Sequence, residues 1–413
     1  MTLVVSGLAV TLFMAWLAVR GGSLRPWLFS GHYQGGFTDL YYRIIEVEKV
    51  RHGGNIYVPF AVEAFTYPPA AISLFFPFTA LSLNASYFVW TTLSILCLAG
   101  TYFVVLERLW KKDRMAHLGL ALWASIVTVA LFPPMAECLA WGQTSTILLL
   151  LVTVDVLMIR GRNQGVLVGI AAAVKLYPGL LIVFWLMRRS WRSAGVAAVT
   201  FVAVTAASWI LWPHDAGTFF LQILPKGSET GHFGAGFTIF NSASVSSFYL
   251  RLPFLPKSVV TLLVVLTSLL ILVGGMAAAV RLDRAGLKLS SLVTLLAMSV
   301  IISPVTWDHY FTFAPLLVFV AYEVGVRTIL GRASVAAFLI FTTPWFIFRH
   351  SLGESVYALP AENAFFVATM LVIGAAWFHT VSMARAGSTE TAQAKDASPR
   401  SGRARLPSLR QAR

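Results

Sequence analysis

Lys257-Ser-Val-Val-Thr-Leu-Leu-Val-Val-Leu-Thr-Ser-Leu-Leu-Ile-Leu-Val-Gly-Gly-Met-Ala-Ala-Ala-Val280 carries a charge only on its first residue. A helix needs roughly 20 apolar residues to cross the hydrocarbon core of a bilayer, and this stretch is long enough. Similar runs lie at 3–19, 87–106, 116–132, 145–159, 193–212, 287–305, 309–329, 333–348 and 363–381. Shorter or broken apolar stretches occupy 68–83 and 165–187. Of the 413 residues, 58% are hydrophobic and 12% charged, whereas a soluble domain carries about 25% charged residues. That excess has to face lipid, because a single soluble core cannot hide it. The chain therefore reads as an all-α polytopic membrane protein, a bundle of 10–12 transmembrane helices. Thr2 to Val19 lacks a basic n-region and its apolar run is long for a signal peptide, so it reads as the first transmembrane helix. Cys97 and Cys138 sit in or beside apolar runs, which argues for inert packing residues and against a disulfide framework.

The net charge of +14 raises nucleic acid as a partner, and its distribution removes it. Arg385, Lys395, Arg400, Arg403, Arg405, Arg410 and Arg413 crowd a tail rich in Ala, Ser and Gly over 383–413. That composition predicts a disordered cytoplasmic tail. Basic residues beside spans hold loops in the cytoplasm and touch anionic lipid. By this bias Arg188–Arg192, Arg281–Lys288, Arg327–Arg332 and the tail lie inside, and 213–256, 303–309 and 349–362 lie outside. Arg108–Arg114 also belongs inside. This requires 68–83 to be a shallow helix in the outer interface and 165–187 to dip into the membrane and return. The transmembrane domain spans 1–382.

Residues 20–67 form the first outer loop. Within it, Asp39-Leu-Tyr-Tyr-Arg-Ile-Ile-Glu-Val-Glu-Lys-Val50 places Leu40, Ile44, Val47 and Val50 on one helical face. The segment is too short and too charged to span, so it is expected along the membrane surface, ended by Gly53-Gly54.

Ionisable groups near membrane depth are costly and mark candidate sites. Asp39 opens the surface helix, where a carboxylate can cap free N–H groups or serve as a general base. His309, in Ser303-Pro-Val-Thr-Trp-Asp-His309, is either an interfacial anchor beside Trp307 and Tyr310 or a hydrogen-bond donor to an anionic phosphate. Lys175, ahead of Tyr177-Pro178, must pair or face a polar cavity, and Pro178 permits a broken helix there. Glu137 and Gln143 flank Trp141 and either bind sugar hydroxyls or cap helices. Asp155 is at the spacing to pair with Arg160. The sequence carries no Gly-rich phosphate loop, no Cys/His metal set and no nucleotide-binding domain. A group-transfer enzyme of this kind needs a donor that already resides in the membrane.

The order of motifs resembles glycosyltransferase family 87, a GT-C membrane family of polyprenyl-phosphate-mannose-dependent α-1,2-mannosyltransferases. The matching pieces are Asp39-Leu-Tyr-Tyr, Gly53-Gly-Asn-Ile-Tyr57, Phe65-Thr-Tyr-Pro-Pro-Ala, Trp141-Gly-Gln, Gly165 to Pro178 through Lys175 with Arg188-Arg-Ser-Trp-Arg, and Ser303 to His309. The resemblance implies an extracytoplasmic active site in the plasma membrane, with Asp39 as catalytic base and Lys175 and His309 on the donor phosphate. Tyr67, Gln143, Asn241 and Trp307 are the expected acceptor or sugar contacts. If a β-linked donor gives an α-linked product, the displacement inverts and needs one carboxylate. No DxD pair is present, so neither a metal nor a cofactor is expected. The implied partners are a polyprenyl-phosphate sugar, a glycolipid acceptor and membrane lipid, with no obligate protein partner. Within the family, enzymes that extend phosphatidylinositol mannosides are the nearest in character. An arabinofuranosyltransferase shares the architecture. A flippase of lipid-linked sugars is the rival of a different class, set against the lack of an internal repeat.

Overall fold

The computed structural model describes residues 1–20, 37–57, 65–110, 113–226, 242–252, 254–343, 345 and 359–396. These residues are helical throughout, apart from turns and connections. The helices are α1 (Thr2–Arg20), α2 (Thr38–Arg51), α3 (Leu83–Leu109), α4 (Arg114–Leu131), α5 (Pro133–Trp141) and α6 (Ser145–Leu157). They continue with α7 (Val166–Val174), α8 (Leu180–Met187), α9 (Trp191–Leu211), α10 (Pro213–Thr218) and α11 (Val245–Leu250). The chain closes with α12 (Lys257–Arg284), α13 (Lys288–Ile301), α14 (Leu317–Val324), α15 (Ile329–Thr342) and α16 (Leu359–Asp396).

By length and composition, six of these helices are able to cross a membrane, or seven if the bent pair α5–α6 forms one span. The runs at 287–305 and 309–329 become shorter apolar helices interrupted at Pro304, Pro315 and Gly325, and 333–348 falls on a third short helix, Ile329–Thr342. The stretch 68–83 folds as short helical turns over Pro69–Ala80. The backbone of α16 runs on through 383–396, and 397–413 lie outside the described residues.

α7 and α8 form a hairpin. α7 climbs beside α9 in the same sense, with Gly165 against Ser193 and Ala197, and Gly169 against Ala197 and Thr200. A Cβ on Gly169 would meet the Ala197 carbonyl at 2.6 Å, so the small residue lets the backbones touch, as in small-xxx-small membrane packing. The chain then breaks at Lys175, whose φ of −150° is extended, and α8 returns to the start of α9. Asp155 accepts from the N–H groups of Gly165 (2.7 Å) and Val168 (2.8 Å) and so caps α7. It does this in place of the expected pairing with Arg160, since four free N–H groups at a helix start draw a buried carboxylate.

The surface helix is present as α2. Leu40, Ile44 and Val47 are buried, and the Gly54 N–H reaches back to the Lys49 carbonyl at 2.9 Å with Gly53 at φ 74°. Its apolar face packs on protein: Phe65, Tyr67, Phe75, Trp90 and Phe219 share one core with it. A larger core holds the remaining helices together, and Val174 touches both. The next residue is Lys175.

Candidate active site

Four segments meet at the seam between the two cores: the start of α2, the α5–α6 bend, the tip of the α7–α8 hairpin and the turn around His309. The bend is 115°, and Gly142 makes it possible. Its φ is 70°, and a Cβ there would lie 2.5 Å from the Leu40 Cβ. The Phe37 N–H adds a hydrogen bond to the Ala140 carbonyl at 2.7 Å. The first turn of α2 is therefore clamped onto the end of α5.

Asp39 stands in that first turn, but the N-cap position belongs to Phe37 in the left-handed region at φ 52°, with no side-chain cap. The Asp39 carboxylate accepts instead from the Gln143 amide Nε2. Gln143 Oε1 in turn accepts from the Tyr67 hydroxyl at 2.9 Å, and Tyr57 donates to the Tyr67 carbonyl at 2.7 Å. The expected sugar contacts Tyr67 and Gln143 thus come together with Asp39, both buried. Glu137 accepts from the Trp141 ring N–H at 3.3 Å.

Lys175 sits with its ammonium 3.9 Å from the Tyr310 ring centre, 5.3 Å from that of Tyr67 and 5.9 Å from that of Tyr177. Among the described residues no carboxylate forms an ion pair with it. Asp39 lies within electrostatic reach of Lys175, and Lys175 of His309. His309 is buried, and its Nδ1 has no hydrogen-bond partner among the described residues. Its ring lies nearly parallel to Trp307, centres 6.3 Å apart. Buried polar atoms are almost always satisfied, so an orphan nitrogen beside an unpaired ammonium describes a place for an anion. Asn241 lies outside the described residues. The adjoining segment docks on the Ser303–His309 motif: Ala243 N–H reaches the Thr306 carbonyl at 2.8 Å, and Thr306 N–H reaches Ser242 Oγ at 3.0 Å.

Some residues of the site escape a reading from sequence. The Arg43 guanidinium lies 5.2 Å from the Tyr67 ring centre and 5.6 Å from that of Phe65, and bonds Thr66 at 3.2 Å. Its position one turn beyond Asp39 was visible, but a helix expected to lie on the surface gave no reason to bury a cation. From sequence, Tyr310 reads only as an interfacial anchor. Asp215 accepts from the Ile56 N–H at 2.8 Å, and Asn55 bonds His214 and Thr218 at 2.7 Å each. The Gly-Gly-Asn-Ile-Tyr motif is thereby fixed to α10. Burial pushes the Asp215 carboxyl up, and the Ile56 N–H and His214 pull it back. Among the described residues no three His, Cys, Asp or Glu side chains group to hold a metal ion.

Comparison with known proteins places the chain in a class: it is a multi-pass membrane glycosyltransferase of the GT-C type. It belongs to glycosyltransferase family 87, whose profile matches residues 65–304. Tyr67, Gln143 and Lys175 fall within that stretch, Trp307 and His309 follow it closely, and Asp39 lies ahead of it. The chain is similar to a polyprenol-phosphate-mannose-dependent alpha-(1-2)-phosphatidylinositol mannoside mannosyltransferase of Mycobacterium tuberculosis (strain ATCC 25618 / H37Rv), 28% identical over 273 residues. That alignment covers 64% of this chain and 63% of the relative's length. It is also similar to a polyprenol-phosphate-mannose-dependent alpha-(1-2)-phosphatidylinositol pentamannoside mannosyltransferase of Mycolicibacterium smegmatis, 27% identical over 326 residues, 75% of this chain and 76% of the relative. A pentamannoside mannosyltransferase of Mycobacterium tuberculosis (strain CDC 1551 / Oshkosh) is 23% identical over 376 residues, covering 87% of this chain and 85% of that one. No solved structure matches.

Proposed function

We propose that the protein transfers mannose from polyprenyl-phosphate mannose to a hydroxyl of a lipid-anchored glycan of the phosphatidylinositol mannoside kind, in α-1,2 linkage and on the extracytoplasmic side. The observation that carries this reading is the meeting of Asp39, Lys175 and His309, far apart in sequence, at one seam. A carboxylate beside a site for an anion is what inverting transfer from a phosphate-linked sugar requires. The acceptor oxygen attacks the anomeric carbon while its proton passes to Asp39. The bond from that carbon to the phosphate oxygen breaks, and its electron pair stays on the phosphate. Lys175 and His309 receive that charge, in surroundings where fixed donors act strongly. One carboxylate suffices, because no glycosyl-enzyme intermediate forms. Trp307, stacked along His309, is assigned by this reading to the sugar side.

The names of the relatives support the donor and the acceptor class. The test uses the purified protein in proteoliposomes, whose two compartments keep the leaflets apart, with a phosphatidylinositol mannoside acceptor. Polyprenyl-phosphate mannose and polyprenyl-phosphate arabinofuranose are supplied in parallel. Transfer of mannose alone is the expected result; transfer of arabinofuranose alone reassigns the donor, and movement of intact donor across the bilayer without transfer makes the protein a flippase.

A further inference from the structure

The sequence reading makes Tyr67 and Gln143 contacts for a sugar, yet their polar atoms are already engaged. Thr144 Oγ1 donates to the Tyr67 hydroxyl at 3.4 Å, that hydroxyl donates to Gln143 Oε1 at 2.9 Å, and Gln143 Nε2 donates to Asp39. Thr144 is fully buried, and Tyr67 and Gln143 are each 4% exposed, which leaves little of either open to a polar ligand. Every donor in the chain points toward the carboxylate. An amide accepts at one end and donates at the other. A reversed Gln143 would set its oxygen against an Asp39 oxygen. The Tyr67 hydroxyl, by donating to Oε1, holds the amide the right way round.

We propose that Thr144, Tyr67 and Gln143 form a positioning relay that fixes the rotation of the Asp39 carboxylate, and that they are not a sugar subsite. The proposal rests on Asp39 being the general base. A phenylalanine at 67 would fill the same core and lack the hydroxyl that the relay uses. The Tyr67 ring carries the contacts to Lys175 and Arg43, whereas the hydroxyl carries the relay. Tyr67→Phe therefore removes one function and keeps the other. Among the described residues, Lys175, Tyr67 and Tyr310 lie within electrostatic reach of Asp39, and Arg43 acts on the same three.

The test is steady-state kinetics on Tyr67→Phe, Gln143→Ala and Gln143→Glu beside Asp39→Asn, all purified in nanodiscs. Loss of the Gln143 hydrogen bond to a carboxylate is expected to lower kcat roughly 10- to 100-fold, the weight of one charge-assisted hydrogen bond. The acceptor KM should stay within about twofold, as for an interaction that acts on the reacting group alone. Tyr67→Phe should show the same split with a smaller loss. Gln143→Glu sets a second carboxylate against the first, and like charges so close share a proton. Its acid limb should therefore move to higher pH, with part of the activity returning on the alkaline side.

A raised acceptor KM with unchanged kcat in Gln143→Ala and Tyr67→Phe makes these residues sugar contacts and overturns the relay. An unmoved pH profile in Gln143→Glu, with Asp39→Asn inactive, overturns the relay alone. Wild-type activity in Asp39→Asn overturns the base assignment beneath it. Should Gln143→Glu fail to fold, the kcat and KM split in Tyr67→Phe decides, since that variant keeps the packed ring.

Discussion

Asp39 differs from the other acids of α2 in where its carboxylate goes. Glu46 pairs with Lys49 at 2.6 Å, and Glu48 sits near Arg51 and His52 at 3.4 and 3.6 Å. The more exposed Glu48 pairs contribute about 0–1 kcal/mol. Asp39 instead turns inward to Gln143, and it does not cap the helix, because Phe37 holds that position. Asp39→Asn should therefore abolish transfer with little effect on folding. The loss of a proton acceptor is expected to lower kcat about 100- to 10,000-fold, read as mannose incorporation by protein that elutes as wild type does. Near wild-type transfer would move the search for a base to Asp308, beside His309. Lys175→Met separates the proposed donor site from the proposed base. Methionine keeps the bulk between the tyrosine rings and removes the cation. The donor KM should rise roughly 10- to 100-fold, on the scale of a hydrogen bond to a charged group. Equal donor affinity in wild type and variant would remove Lys175 from the phosphate site.

The elements carry these residues into register, and here the glycines and caps decide. Gly142 holds φ 70° and leaves no room for a Cβ against Leu40, whereas Gly161 holds φ 74° with nothing within 4 Å. Alanine at 161 should cost only the left-handed penalty of about 1–2 kcal/mol. Alanine at 142 adds overpacking of about 1–3 kcal/mol and pushes α2 off α5, so thermal unfolding should start lower and activity fall further than stability. Equal midpoints and activities for the two variants would mean that the α2–α5 contact does not set the base. Asp215 makes a second comparison: Asn keeps an oxygen for the Ile56 N–H and avoids burying a charge, whereas Ala leaves that N–H unsatisfied, at about 1–3 kcal/mol. Asp215→Asn is expected to match wild type in unfolding temperature, and Asp215→Ala to fall below it. The period of Leu40, Ile44 and Val47 and the stop at Gly53-Gly54 gave α2 from sequence alone, because both signals are local. What covers its apolar face was not legible, because Phe65, Trp90 and Phe219 reach it from distant segments. Lys175 was legible as a costly charge, but the ring of tyrosines around it was not, since Tyr67 and Tyr310 arrive by tertiary packing. Asp155 misled for the same reason: Arg160 is near in sequence, whereas the N–H groups it caps are near in space.

At the scale of the whole molecule, charge sets the expectation for which end faces the cytoplasm. Arg108, Arg160, Arg188 and Lys288 come from separate loops, yet the three arginines all act on Lys288, and Arg188 also meets Asp283 at 2.5 Å. One end of the bundle therefore gathers the basic loops. This is possible because the α7–α8 hairpin begins and ends beside the start of α9. If 165–187 crossed the membrane fully, Arg160 and Arg188 would lie on opposite sides. α1 and α4 climb together in the same way, with Leu3 against Gly119 and Gly7 against Leu122, so Thr2 and Arg114 lie at one end. Excess Lys and Arg keep loops inside, and this end is expected in the cytoplasm, with α2 and the turn at His309 outside. Single cysteines at exposed positions read the sides directly, against a background of native Cys97 and Cys138 that are buried. On intact cells an impermeant maleimide should label His52→Cys and Pro304→Cys, and should reach Asn163→Cys and Ala285→Cys only after permeabilisation. Labelling of Asn163→Cys but not Ala285→Cys on intact cells would break the shared basic end and with it the re-entrant hairpin. Labelling of both, with His52→Cys protected, would turn the site inward and require the sugar donor to be held on the cytoplasmic leaflet.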